Sequence, residues 1–78
     1  MPVSFETLNR TLRWFPVDGA SWQTNYQGCV CLVMRTEAEQ EGFAPIIVCE
    51  GEIWLRAPEL FNTLAGAQAW CLDKLTIL

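Results

Sequence analysis

Two apolar, strand-like runs, Cys29 to Arg35 and Ala44 to Leu55, lead into a capped amphipathic segment from Asn62 to Leu75, and this arrangement leaves few folds open. The first run is apolar at both parities from Cys29 to Met34. A half-solvated strand alternates apolar and polar residues, so this pattern predicts a central strand. It should be covered on both faces, or by a helix on one and aromatic side chains on the other.

The flanking segments fit the same sheet. Trp22, Thr24 and Tyr26 alternate with Ser21, Gln23, Asn25 and Gln27, which predicts a half-exposed strand near an edge, and Gly28 supplies a turn or bulge before Cys29. The polar run Thr36 to Gly42 has the length of a hairpin loop, and Glu50-Gly51 is a tight-turn signal before a strand over Glu52 to Arg56. In that strand, strict alternation puts Ile53 and Leu55 on one face and Glu52, Trp54 and Arg56 on the other. Pro45 donates no hydrogen bond, which suits a sheet edge or a strand end.

Helices are expected at both ends. Ser4 followed by Phe5, Leu8 and Leu12 gives an N-cap and helical spacing to about Trp14, where Pro16 disfavours continuation and Asp18-Gly19 begins a turn. Such a helix would pack Phe5, Leu8 and Leu12 on the sheet. Asn62 or Thr63 caps the second helix, whose inward stripe is Leu64, Ala67, Cys71 and Leu75, with Trp70 off it. The expected fold is one α+β domain over residues 1–78. It has an antiparallel sheet of three to four strands, with a short N-terminal and a longer C-terminal helix packed on one face.

Composition supports a packed core rather than disorder: 51% of residues are hydrophobic and 18% charged, with four Trp and four Phe. Nine acidic and five basic groups give a net charge of −4. Phosphate-backbone binding draws its affinity from Lys and Arg, so direct nucleic-acid contact is not expected. Residues 1–6 show no basic, apolar leader, and the longest apolar run, six residues, is far short of the roughly 18 to 20 that span a bilayer. The expectation is a cytoplasmic protein with no membrane partner.

The chain has no histidine, the commonest general base and metal ligand. A cysteine nucleophile would lack an imidazole, and the single lysine, Lys74, lies at the end of the last helix. Glu50 and Glu52 flank an exposed turn, where nothing desolvates a carboxylate for acid catalysis. No nucleophile, base and orienter set is visible, so no enzymatic activity and no cofactor are expected. Cys29, Cys31, Cys49 and Cys71 can converge in one core. A CxC with two isolated cysteines is a poor match to the paired knuckles of a four-cysteine zinc site, which leaves core filling as the first expectation and zinc, disulfide or redox chemistry as alternatives.

Binding is the remaining role. Glu37, Glu39 and Glu41 form an acidic hairpin tip suited to a partner protein with a basic surface. Trp22, Tyr26, Trp54 and Trp70, with Arg56 beside them, are the residue types that dominate interface energetics, and Trp22, Tyr26 and Trp54 would form an aromatic sheet face. An exposed sheet edge and the apolar Ile77-Leu78 end make a homodimer a further expectation.

The order of helix, three strands and helix resembles the double-stranded-RNA-binding domain, and the length is similar. The resemblance implies topology alone, because the matching stretch, Asn62 to Gln68, has none of the basic residues with which those domains hold phosphates. In size, acidity and lack of catalytic residues the chain also resembles small proteins of phages and mobile elements, anti-CRISPR proteins among them. That resemblance implies an inhibitor that occludes a nucleic-acid-binding surface of a host protein.

Overall fold

The computed structural model describes residues 4–37 and 41–77. Seven elements follow one another: α1 (Phe5–Thr11), β1 (Phe15–Asp18), β2 (Ser21–Tyr26), β3 (Cys29–Thr36), β4 (Gly42–Cys49), β5 (Glu52–Arg56) and α2 (Leu64–Leu75). The strands form one antiparallel sheet in the order β1-β2-β3-β4-β5. The α+β class is therefore as expected, with five strands in place of three or four.

The additional strand is β1. Pro16 does more than end a helix: it sits in an edge strand, where a missing donor costs no ladder hydrogen bond. Correspondingly, α1 stops at Thr11 rather than near Trp14, with Leu12 already extended at ψ 137°. Two-residue turns join β2 to β3 and β4 to β5, and each needs left-handed backbone at both positions: Gln27 (φ 46°) with Gly28 (φ 81°), and Glu50 (φ 54°) with Gly51 (φ 83°).

Pro45 lies inside β4, opposite Val33 of β3, not at an edge or a strand end. Its carbonyl accepts from the Ala57 amide on the β5 side, so its nitrogen faces that side too, one residue beyond the end of β5. Toward β3 no ladder bond is lost, and on the β5 side only the reciprocal bond to the Ala57 carbonyl is missing.

Both helices lie on one side of the sheet. Thr63 caps α2, its hydroxyl accepting from the Gly66 amide at 3.0 Å, and Ser4 caps α1 in the same way through the Thr7 amide. α2 packs on β3 and β4, whereas α1 packs on α2 rather than directly on the sheet. The core consists of Leu8, Cys29, Cys31, Val33 and Ile47 with Ala67, Cys71, Leu72 and Leu75. Leu64, on the expected stripe, packs against that core only partly buried, and Phe5 is exposed. Among the described residues no helix is long and apolar enough to cross a membrane.

Candidate functional site

Register decides which side chains the helices cover. The pairs Cys29↔Cys49, Cys31↔Ile47 and Val33↔Pro45 point toward α2, so the alternate pairs Val30↔Val48, Leu32↔Ile46 and Met34↔Ala44 point away. Those six aliphatic side chains are half-buried by their own neighbours, and among the described residues no helix or strand lies over them. The second cover expected for β3 is thus missing.

The same face continues onto both neighbouring strands. On β5 a bulge between Ile47 and Val48 pairs Val48 with Ile53 and Ile47 with Leu55, leaving Trp54 unpaired. This overturns the strict alternation expected there. Leu55 turns to the core, while Ile53 is 55% exposed on the outer face and Trp54 stands exposed at its edge. On β2 the outward residues are Ser21, Gln23 and Asn25, with Gln23 Nε2 donating to Asn25 Oδ1 at 3.0 Å. Arg56 is the one charged side chain at an outward position of β2 to β5. Asp18, at the β1 corner, turns into its own loop and accepts from the Ala20 amide at 2.7 Å. An aliphatic centre with a polar rim is the usual anatomy of a protein interface.

The residues expected to bind a partner fall in three places. Arg56 belongs to the outer face, and Trp54 is exposed at the bulge of β5. Trp22 and Tyr26 do not, because they pair with Val33 and Cys29 and so point to the helix side. There Trp22 tilts against Phe43 at 5.9 Å between ring centroids, and Tyr26 packs on the core. The aromatic face of Trp22, Tyr26 and Trp54 is therefore not one surface. Trp70 also packs on the core, with Lys74 Nζ 5.9 Å from its ring centroid. Glu37 and Glu41 flank the β3–β4 connection and Glu39 lies outside the described residues. Glu37 pairs with Arg35 at 3.3 Å, an exposed contact of little energetic consequence. Glu41 and Glu59, with Ala57, Pro58, Leu60 and Asn62, line an open groove of about 690 Å³.

The cysteines converge as expected but are not all simple core fillers: Cys29 and Cys49 form a disulfide. The Glu50 amide donates to the Gly28 carbonyl just outside this pair, which makes Cys29↔Cys49 a non-hydrogen-bonded pair, the position where facing side chains come closest. Cys31 and Cys71 are free thiols, fully buried and hydrogen-bonded to each other. Two thiols are fewer than a tetrahedral zinc requires, and no group of three or more His, Cys, Asp or Glu among the described residues is placed to hold a metal.

The hydrogen bond between the two thiols favours a thiolate at Cys31 and the protonated form at Cys71, while burial raises both. In this aliphatic surround we hold burial to prevail, so both stay protonated and unreactive near neutrality. Cys71, raised by both effects, has a consequence for stability. The unfolded chain loses that proton as pH passes the ordinary thiol value of 9.0 while the folded chain keeps it, so stability falls above that pH. Urea titrations from pH 7 to 10 should show this fall, and Cys71→Ala should reduce it.

No family model matches the chain, and no curated protein or solved structure matches it significantly.

Proposed function

We propose that this protein is a non-enzymatic interaction module whose contact surface is the outer face of the sheet. One observation carries the reading: Val30, Leu32, Met34, Ala44, Ile46 and Val48 form a continuous aliphatic field at the centre of the sheet, uncovered by any described element. Isolated surface hydrophobes are ordinary, whereas a contiguous apolar field on a protein surface often marks a functional contact. Trp54 and Arg56 at its margin add the residue types that most often anchor a partner. A photo-crosslinking amino acid at Leu32 should give protein adducts in native extract, while the same group at the exposed Ala65 of α2 should not. Equal yields at both positions, or none at either, would refute the reading.

A second reading is favoured by the groove that Glu41 and Glu59 line. A basic partner segment could dock there, in keeping with occlusion of a nucleic-acid-binding surface. Binding of that kind weakens as salt rises, because exposed charges are screened. Capture that is unaffected by salt or by Glu41→Lys would eliminate it.

A further inference from the structure

We propose that the occupant of the outer sheet face is a second copy of this chain, stacked face to face on it. The inference rests on the contact surface proposed above and names its partner.

Charge is the first support. The chain carries net −4, so most surfaces on it would repel a copy of themselves. In an isologous contact the same patch meets itself, and this patch has no carboxylate at the outward positions of β2 to β5. On it two acidic chains can meet without bringing carboxylates together.

Shape is the second support. A two-fold axis parallel to the strands and midway between β3 and β4 exchanges those strands between the copies. Because Val30, Leu32 and Met34 pair with Val48, Ile46 and Ala44, the same operation lays each residue over its partner's counterpart in the second copy. Val30 then meets Val48, Leu32 meets Ile46, and the long Met34 meets the short Ala44. Large faces small where the volumes differ, as interdigitating sheets about 10 Å apart require, and the usual inclination of near 30° between stacked sheets shifts these contacts without reordering them.

The same axis sets Gln23 of one copy over Arg56 of the other, since Gln23, Leu32, Ile46 and Arg56 lie in one row across the sheet. The Gln23 amide nitrogen already donates to Asn25, which leaves its carbonyl oxygen to accept. Arg56 makes no ion pair among the described residues and has donors to offer.

Size is the third support. The axis sets β2 to β5 of one copy over β5 to β2 of the other, and four strands about 4.8 Å apart and roughly 22 Å long project about 430 Å² per copy. Two copies together present about 860 Å², the low end of the interface scale, where association is weak and reversible.

Sedimentation equilibrium of the whole chain from low to high micromolar concentration tests this. The wild type should approach twice the 8.9 kDa chain mass. Ile46→Lys, which buries unpaired ammonium groups, and Ala44→Trp, which lifts the sheets apart, should each raise the dissociation constant at least about tenfold. Both substitutions are outward, so circular dichroism should show the fold retained; Ala44→Trp keeps the test sound should Ile46→Lys fail to fold. Ile77→Ser, at the exposed C-terminal end, should leave association unchanged. A wild-type monomer throughout, association indifferent to both outer-face variants, or loss with Ile77→Ser would overturn the second copy as occupant. If the wild type is monomeric while position 32 still crosslinks to another protein, the contact surface stands and only the self-pairing falls. If no adduct forms at all, both fall.

Discussion

Ile47→Ala should lower stability by about 3 to 4 kcal/mol, while Ile46→Ala, one residue earlier in the same strand, should cost about 1 kcal/mol or less. Ile47 is 0% exposed and packs beneath α2 among Val33, Cys71 and Leu72, so truncation leaves a cavity where close-packed side chains cannot collapse. Ile46 points the other way, so in protein dilute enough to be monomeric its removal exposes little that was enclosed. A chain of this length has about 4 to 12 kcal/mol of stability in all, so the Ile47 variant should lose from about a quarter to nearly all of it. Each kcal/mol corresponds to about 4 to 8 °C of melting temperature, which makes the contrast easy to read by circular dichroism. Equal losses at 46 and 47 would mean that β4 does not present the face described.

Reduction of the Cys29–Cys49 disulfide should cost about 3 kcal/mol, the closure entropy of a loop with its 20-residue separation, or about 12 to 24 °C in melting temperature. The Cys29→Ala, Cys49→Ala double variant should match the reduced protein and no longer respond to reductant. Thiol titration gives an independent check. Unreduced protein in denaturant should show two thiols, Cys31 and Cys71, and four only after reduction. Four thiols without reduction would remove the disulfide from the account. The bond also bears on where the chain works, because disulfides persist in oxidising surroundings and are opened in reducing ones.

Local chemistry makes much of this fold legible in the sequence. Gly28 and Gly51 mark the two tight hairpins because few other residues adopt their backbone at low cost, and Thr63 marks the start of α2 because a hydroxyl satisfies its free amides. β1 is hidden because Pro16 reads as a breaker whenever an edge strand is not anticipated. Pro45 misleads for a similar reason. Its acceptability depends on where β5 ends, a fact about pairing that no local pattern carries.

The candidate surface is half legible. Apolar residues at both parities of β3 are evident, but sequence cannot say whether a second layer exists to cover them. The expectation that aromatics do so fails on a matter of parity: Trp22 and Tyr26 share the register of Val33 and Cys29 and so belong to the helix side. A bulge at Trp54 then reverses the faces of Ile53 and Leu55 relative to each other, and bulges leave no reliable signature in a five-residue strand. The disulfide is not singled out by local pattern, because Cys29 and Cys49 become neighbours only through the β3–β4 register.

The central claim is that the outer face of β3 and β4 is a contact surface between copies of this chain rather than a solvated one. Methyl relaxation by a soluble paramagnetic agent, followed over a dilution series, tests it most directly. The Ile47 methyls should be protected at every concentration, while those of Leu32, Ile46 and Val48 should be protected in concentrated protein and become accessible on dilution. Outer-face methyls as accessible in concentrated protein as in dilute protein, with Ile47 protected throughout, would contradict the claim.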